Sequence, residues 1–471
     1  MKTRSKLLWV LLAATALGAA LSLLAVHWCR INGWSDPDQH IHMCYSDFSL
    51  LFTQRGLSDG LFPFVHDVAD DQVMEYPVLI AVVAGVLALL VPGEGAGHER
   101  VLFFYDLNHM AVVLCWMAVV IITAFSTAAS RRRDALMVAL APGIILTLSV
   151  NWDMWAVFLG GFALLLWGRG HSVWAGILLG LGAAMKLYPL FFLGAILVLC
   201  LRAGRLRSLA AVLCAGIGSW LAVNVPFMIT QFDQWATFYR FSSEREVSFS
   251  SMWLAFSWLP LDGAGFSVLS NGLFLVCCLG IAYLGWAAPV RPRVAQLCFL
   301  IVASFILLGK VYSPQFVMWL IPLAVLAYPR LKALVIWQAA EVFHWAAVWM
   351  MSAKITSGGS FGGGHSLIET AYGLGIAAHM ITVIWLMVLV VGDILHPHRD
   401  TVRQAEAADG RIAQTSQEPA EEPSVEELSA EAASAQATSV GEDPLAGTLR
   451  GRRDAFTLPG LGQKSQLTLR W

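Results

Sequence analysis

Long apolar segments alternate with short polar ones along most of the chain, up to about residue 395. A helix that crosses a membrane needs about 20 mainly apolar residues, and this pattern predicts about twelve crossings. The predicted spans are 7–28, 101–127, 134–150, 154–168, 172–185, 189–201, 208–230, 265–289, 294–309, 316–329, 332–351 and 367–395. The sequence therefore predicts an all-α, multi-pass transmembrane helical bundle over residues 1–395.

Two segments depart from a simple alternation. Residues 77–91 are apolar but short, and a Pro-Gly-Glu-Gly turn follows them. A crossing here would move the arginines at 131–133 to the outside, so we predict a re-entrant or surface-lying helix on the outer face.

The apolar run from 174 to 201 contains Lys186 and Pro189. Proline breaks a helix and a lysine is costly at the bilayer centre, so we predict two crossings with Lys186 at the outer surface.

The distribution of basic residues predicts the orientation, since cytoplasmic loops are rich in Lys and Arg. Arg131, Arg132 and Arg133 mark one inner loop, and basic residues recur in the other short loops on that side. Both termini are then cytoplasmic, and residues 29–100 form the first outer loop. From 396 to 471 the chain is rich in Ala, Glu, Ser, Gln and Thr without an apolar period, which predicts a disordered cytoplasmic tail.

Composition agrees with a membrane protein, because 58% of residues are hydrophobic and 13% are charged, against about 25% charged in soluble domains. The net charge of -2 gives no basic patch for nucleic acid. The eight cysteines lack zinc-binding spacings, and we predict neither a metal nor another cofactor. Cys29 and Cys44 leave two alternatives open, a disulfide in an oxidising compartment or two free thiols.

Candidate chemistry begins in the first outer loop. The spacing of Tyr45, Phe48, Leu51 and Phe52 predicts a short amphipathic helix that carries Asp47 near the membrane surface. A solvated surface carboxylate is the alternative to a functional one. Because apolar neighbours would hold Asp47 close to the bilayer, we interpret it as a functional carboxylate.

Two further outer corners carry acids. Glu75 and Tyr76 precede the predicted re-entrant helix, and Glu75 is either an acid that favours the helix dipole or a substrate-binding residue. Asn151 and Asp153 flank Trp152 in a turn between two spans. Asp153 is either a helix N-cap or a ligand for sugar hydroxyl groups.

Two helix breaks resemble each other, since each contains a lysine, a tyrosine and a proline. Lys186 and Tyr188 lie in the first break, and Lys310, Tyr312 and Gln315 lie in the second. Lysine is a compact point charge suited to phosphate. The alternative is that both lysines only extend to the membrane interface.

The remaining candidates are a cation and a buried pair. Arg240 belongs to the outer loop 231–263, which we expect to cover a cavity. Glu341 and His344 share one face of a predicted span. Such residues mark a bundle interior or a water-filled cavity, so this pair is either structural or a ligand site.

The order of these motifs resembles bacterial glycosyltransferase family 87, the polyprenol-phosphate-mannose-dependent α-mannosyltransferases of the GT-C fold. The resemblance covers roughly residues 7–395, with Val78 standing where relatives often have a second proline. It implies a metal-independent, inverting transfer of mannose on the outer face of the plasma membrane. The donor would be a polyprenyl-phosphate sugar and the acceptor a glycolipid or glycan.

The resemblance also implies roles for individual residues. Asp47 would be the general base, and Lys186 and Lys310 would bind the donor phosphate. Beyond the resemblance, we assign Arg240 to the donor phosphate as well. We also assign a second set of residues to the sugar or acceptor, namely Glu75, Tyr76, Asn151, Asp153, Tyr188, Tyr312, Gln315 and His344. Membrane lipid is a further expected partner.

Two other classes of function remain open at this stage. A flippase or transporter of a lipid-linked sugar would use the same cavity and lysines but would not need Asp47. The absence of visible internal repeats weakens that hypothesis. A purely structural membrane scaffold would not explain the charged helix breaks.

Overall fold

A computed structural model describes residues 2–362, 367–415, 441–459 and 468–469. Within these residues the α-helices are, in chain order, α1 (Lys2–Ala25), α2 (His27–Asn32), α3 (Asp38–Ile41), α4 (Asp47–Gln54), α5 (Val78–Ala88), α6 (His98–Phe125), α7 (Leu136–Ala139), α8 (Pro142–Thr147), α9 (Asp153–Gly168), α10 (Ser172–Met185), α11 (Phe192–Arg202), α12 (Leu206–Thr230), α13 (Phe232–Glu244), α14 (Gly263–Ala287), α15 (Val294–Leu308), α16 (Val317–Ala327), α17 (Leu331–Thr356), α18 (Leu367–Leu395) and α19 (Thr401–Thr415). Several short 3-10 helices and two short antiparallel strands, β1 (Phe456–Thr457) and β2 (Thr468–Leu469), complete the described secondary structure.

Six helices are long and apolar enough to cross a membrane, namely α1, α6, α12, α14, α17 and α18. Shorter apolar helices, among them α9, α10, α11, α15 and α16, lie between them in the sequence. The chain is therefore an all-α, multi-pass membrane protein, which confirms the predicted fold class. At 1.5 Å per residue, the 16 residues of α9 are about 24 Å long, so the shorter helices rely on packing inside the bundle.

Contacts between loops sort the bundle into two ends. At one end, which we call the arginine end, Arg131 donates to the carbonyl oxygen of Pro329 at 2.9 Å. At the other, which we call the Asp47 end, the Asp47 amide donates to the carbonyl oxygen of Val150 at 2.7 Å. Loops predicted to lie on the same side of the membrane thus contact one another.

Helix α5 begins and ends at the Asp47 end. The turn after it returns to the segment that follows α4, where the amide of Gly95 and the guanidinium of Arg100 donate to the carbonyl oxygen of Ser58 at 3.2 Å and 2.9 Å. Between these ends α5 packs against α10 and α6. This path agrees with a re-entrant or surface-lying helix rather than a crossing.

A disulfide joins Cys29 at the end of the first span to Cys44 just before the Asp47 segment. Arg30, next to this bond, pairs with Asp106 on α6 at 2.7 Å. The disulfide therefore resolves the alternative that the sequence left open, and it fixes the start of the Asp47 segment to the bundle.

The prediction of a disordered tail is wrong for two described stretches, α19 and residues 441–459. The latter, which we call the C-terminal strap, lies against the arginine end. Asp454 accepts hydrogen bonds from Arg202 at 2.8 Å and Arg291 at 2.7 Å. Residues 416–440, 460–467, 470 and 471 lie outside the described part of the chain.

The C-terminal strap is ordered because it supplies hydrogen-bond and packing partners for groups that the bundle buries. The side chain of Arg202 is only 2% exposed. Leu445 and Leu449 of the strap are buried, with Leu445 next to Gly168. A few apolar anchors and one shared carboxylate are enough to order a segment whose composition shows no apolar period.

We expect Asp454→Ala to destabilise the protein, because it leaves the buried Arg202 guanidinium without its carboxylate. An unsatisfied buried donor costs about 1–3 kcal/mol. The free energy of unfolding in detergent would measure the loss. The control is Asp70→Ala, an exposed carboxylate of the first loop, and equal stability of the two variants would contradict the role of the strap.

Candidate functional site

Asp47 lies at the first position of α4, and a serine fixes that helix start. Ser46 is the N-cap, and its hydroxyl oxygen accepts from the Phe48 amide at 3.2 Å. The same hydroxyl donates to the carbonyl oxygen of Ser149 at 2.6 Å. Phe48, Leu51 and Phe52 of α4 are buried, as the predicted amphipathic helix requires. The cap and the apolar face together hold Asp47 against the turn before α9.

Two tyrosines hold the Asp47 carboxylate. The hydroxyl of Tyr45 donates to Oδ1 at 2.6 Å, and the hydroxyl of Tyr76 donates to Oδ2. Asn151 donates in turn to the Tyr76 hydroxyl at 3.2 Å. These hydrogen bonds fix the orientation of the Asp47 side chain. The side chain is half-buried, so part of it stays accessible.

Burial raises the pKa of Asp47 above its ordinary value. The hydrogen bonds from Tyr45 and Tyr76 and the charge of Lys186 lower this pKa, but by less than burial raises it. Burial and the neighbouring Asp47 also raise the pKa of Tyr45 and Tyr76, so both hydroxyls keep their protons and remain donors. The site contains a carboxylate more basic than an exposed one.

Lys186 lies beside this carboxylate, in the extended break after α10. Its ammonium pairs with Oδ1 of Asp153 at 3.0 Å and lies 4.6 Å from the centre of the Tyr76 ring. Asp153 is fully buried, and Trp319 donates to its Oδ2 at 3.0 Å. Asp153 therefore positions Lys186.

The N-cap alternative for Asp153 is not what the structure shows. Asp153 is the first residue of α9, after the cap position, and makes no capping hydrogen bond with its side chain. Asn151 instead accepts from the Asp153 amide at 3.0 Å.

The residues around Asp47 form one connected group, which we call the carboxylate cluster: Tyr45, Asp47, Tyr76, Asn151, Asp153 and Lys186.

Glu75, Arg240 and Tyr188 have other contacts. Glu75 forms a double hydrogen bond with Arg55 at the end of α4, at 2.8 Å and 2.9 Å. Arg240 is exposed and pairs with Asp233 of its own helix at 3.0 Å. Tyr188 is buried and stacks on Trp319, which is the indole bound to Asp153. Tyr188 thus adjoins the carboxylate cluster through Trp319, whereas the side chains of Glu75 and Arg240 are paired with Arg55 and Asp233.

Lys310 lies at the second helix break, but its partners differ from those of Lys186. Its ammonium donates to the carbonyl oxygens of Ser243, Arg245 and Gly263 at 2.9 Å, 2.6 Å and 3.0 Å. An ammonium has three donors, so these carbonyls use all of them. We therefore do not retain Lys310 as a phosphate ligand.

A second polar cluster lies between α17 and α18. Glu341 accepts hydrogen bonds from Tyr312 at 3.0 Å and Trp337 at 2.7 Å, and lies 2.8 Å from Nδ1 of His379. His344 is fully buried, and neither of its ring nitrogens has a hydrogen-bond partner among the described residues.

Gln315, three residues after Tyr312, is buried. Its side-chain oxygen has no partner among the described residues.

Sequence reasoning assigned no site role to Tyr45, Trp319 or His379. The only signal for Tyr45 was its position two residues before Asp47, and we used it for helix spacing alone. His379 is a lone histidine in an apolar span, and such ionisable residues mark a bundle interior. Trp319 offered no signal, because its partner Asp153 is far away in sequence.

Among the described residues, no group of three or more His, Cys, Asp or Glu side chains could hold a metal ion. What the carboxylate cluster offers is a base and a cation side by side. Asp47 can accept a proton, and Lys186 can stabilise negative charge on a bound group.

A family model described as glycosyltransferase family 87 matches residues 73–309, about half of the 471-residue chain. The match includes Tyr76, Asn151, Asp153 and Lys186 of the carboxylate cluster. No curated protein matches the chain.

We expect Tyr76→Phe to raise the pKa of Asp47. A hydrogen bond to the ionised carboxylate lowers the pKa, so removing the Tyr76 hydroxyl favours the protonated form. Infrared titration of the carboxyl band that disappears in Asp47→Asn would measure the shift. The control is Tyr239→Phe on α13, and an unchanged midpoint in Tyr76→Phe would contradict this hydrogen bond.

Proposed function

The chain belongs to glycosyltransferase family 87 and is a membrane glycosyltransferase, and from this premise we propose its donor, its reaction face and its base. The donor is a polyprenyl-phosphate sugar, with mannose as the sugar. The acceptor is a hydroxyl group of a glycolipid or glycan. The reaction takes place at the Asp47 end, on the outer face of the plasma membrane.

The observation that carries this proposal is the geometry around Asp47. Its carboxylate is oriented by Tyr45 and Tyr76, is partly accessible, and has a pKa that burial raises. A general base works best when its pKa approaches the working pH while it stays ionised. The arrangement suits proton removal from a neutral hydroxyl.

In the proposed reaction the acceptor oxygen attacks the anomeric carbon of the donor sugar. The acceptor proton passes to the Asp47 carboxylate. The bond between the anomeric carbon and the phosphate oxygen breaks, and its electron pair leaves with the polyprenyl phosphate. Phosphate is already a good leaving group, so one base is sufficient. Because the reaction is a single displacement, it inverts the configuration at the anomeric carbon.

Lys186 is the proposed cation for the departing phosphate. Asp153 and the Tyr76 ring hold its ammonium beside Asp47, with its side chain 15% exposed. The ion pair with Asp153 leaves further ammonium donors for a ligand. A cation fixed in this way stabilises charge as it develops on the leaving group.

Transport of a lipid-linked sugar is not retained as a second function. A transporter would not require the oriented carboxylate of Asp47. The family match also favours a transferase.

We expect Asp47→Asn to lower kcat for sugar transfer by about 10²–10⁴-fold, which is the usual contribution of a general base. The amide keeps the shape but cannot accept the proton. Transfer from synthetic polyprenyl-phosphate mannose by the purified variant would measure it. Asp59→Asn, an exposed acid of the same loop, is the control. Wild-type turnover by Asp47→Asn would reject the base assignment.

We expect Lys186→Ala to raise the KM for the donor about tenfold or more, since a hydrogen bond to a charged group contributes about 1.5–3 kcal/mol. Initial rates at varied donor concentration would show it. Lys332→Ala, an exposed lysine at the arginine end, should leave the KM unchanged. The phosphate role of Lys186 would be excluded by an unaltered donor KM in Lys186→Ala.

A further inference from the structure

An outer segment, residues 245–251, runs from the end of α13 along the break after α15, and we call it the flap. The amide of Ser248 donates to the carbonyl oxygen of Lys310 at 3.1 Å, and the amide of Tyr312 donates to that of Phe249 at 2.8 Å. These bonds resemble a short parallel strand pairing. The flap is therefore attached to the second helix break rather than free in solution.

Lys310 fixes the start of the flap through the backbone. Its ammonium donates to the carbonyl oxygens of Ser243, Arg245 and Gly263, which brings the end of α13 and the start of α14 together. The approach is close, because a Cβ atom at Gly263 would lie 2.4 Å from the carbonyl oxygen of Glu244. The backbone position of Arg245 thus depends on Lys310.

The guanidinium of Arg245 is half-buried. The helix break to which the flap is bonded adjoins the carboxylate cluster, because Phe316 stacks on Trp319 with ring centres 4.2 Å apart and Trp319 donates to Asp153.

The Arg245 guanidinium lies 5.4 Å from the ring centre of Phe241 and 5.8 Å from that of Phe249. Burial lowers the pKa of Arg245, while the neighbouring Tyr76 and Asp47 raise it by less. The arginine therefore lies within electrostatic range of the proposed base.

Arg245 differs from the neighbouring cations in its hydrogen bonds. Lys186, Arg55 and Arg240 pair with acids, and Lys310 is saturated by carbonyls. Among the residues that the structure describes, the Arg245 guanidinium has ring contacts but neither a hydrogen bond nor an ion pair. Its planar set of donors is available to a ligand.

We propose that Arg245 binds the phosphate of the polyprenyl-phosphate donor together with Lys186, and that Lys310 is a positioning residue that holds Arg245 in place. A guanidinium binds phosphate oxygens through two parallel hydrogen bonds. This inference rests on the proposed function, because it takes the donor class from it. Arg245 then takes the place of Lys310 and Arg240 as a direct phosphate ligand.

The test compares binding of a polyprenyl phosphate and the corresponding polyprenol to the purified full-length protein in detergent. We expect Arg245→Gln to weaken polyprenyl phosphate binding about tenfold or more and to leave polyprenol binding unchanged. Arg245→Lys should recover part of the affinity, because it keeps the charge without the planar donors. Arg169→Gln, an exposed arginine at the arginine end, should bind like the wild type.

A double variant tests the positioning role of Lys310. Lys310→Gln alone should weaken phosphate binding, but Arg245→Gln with Lys310→Gln should bind no more weakly than Arg245→Gln alone. Additive losses would mean that Lys310 contacts the phosphate itself, which overturns the positioning role. Gly263→Ala displaces the same segment by another route and should reproduce the loss even if Lys310→Gln fails to fold.

The outcomes separate this inference from the function on which it rests. If the wild type prefers polyprenyl phosphate to polyprenol and Arg245→Gln keeps that preference, Arg245 is not a phosphate ligand and only this inference fails. If the wild type shows no such preference, the proposed donor class itself is wrong.

Discussion

The paired hydrogen bonds from Tyr45 and Tyr76 to the Asp47 carboxylate are the interaction on which the site depends. They orient a carboxylate whose pKa burial raises, and Asn151 ties them to the turn before α9. Because that turn also carries Asp153, the same short segment sets the position of the base and of Lys186. One corner of the bundle thereby fixes both groups that the proposed chemistry requires.

Sequence patterns predicted the local structure where a residue's partners lie in its own segment. The apolar spacing around Asp47 predicted α4, and the prolines after Lys186 and Lys310 predicted the two helix breaks. What the lysines do there depends on distant partners. Lys186 meets a buried aspartate, whereas Lys310 meets three backbone carbonyls. Near-identical motifs therefore have different roles, and spacing cannot distinguish them.

Partners that are distant in sequence also explain two other differences between the predictions and the structure. Arg240 and Arg245 are five residues apart in one loop, but Arg240 is exposed on α13 beside Asp233 while Arg245 begins the flap. In the tail, composition predicted disorder because ordering normally requires an apolar period. The C-terminal strap is ordered by Asp454 and a few buried leucines, whose partners lie in loops far away in sequence.

The proposed chemistry requires the donor phosphate and the base to meet at the Asp47 end. The most direct measurement is an electron cryomicroscopy map of the full-length protein with a bound polyprenyl phosphate. Phosphate density is expected between Lys186 and Arg245, beside the Asp47 carboxylate. Phosphate density beside Glu341 and His344, or at the arginine end, would contradict the proposed chemistry.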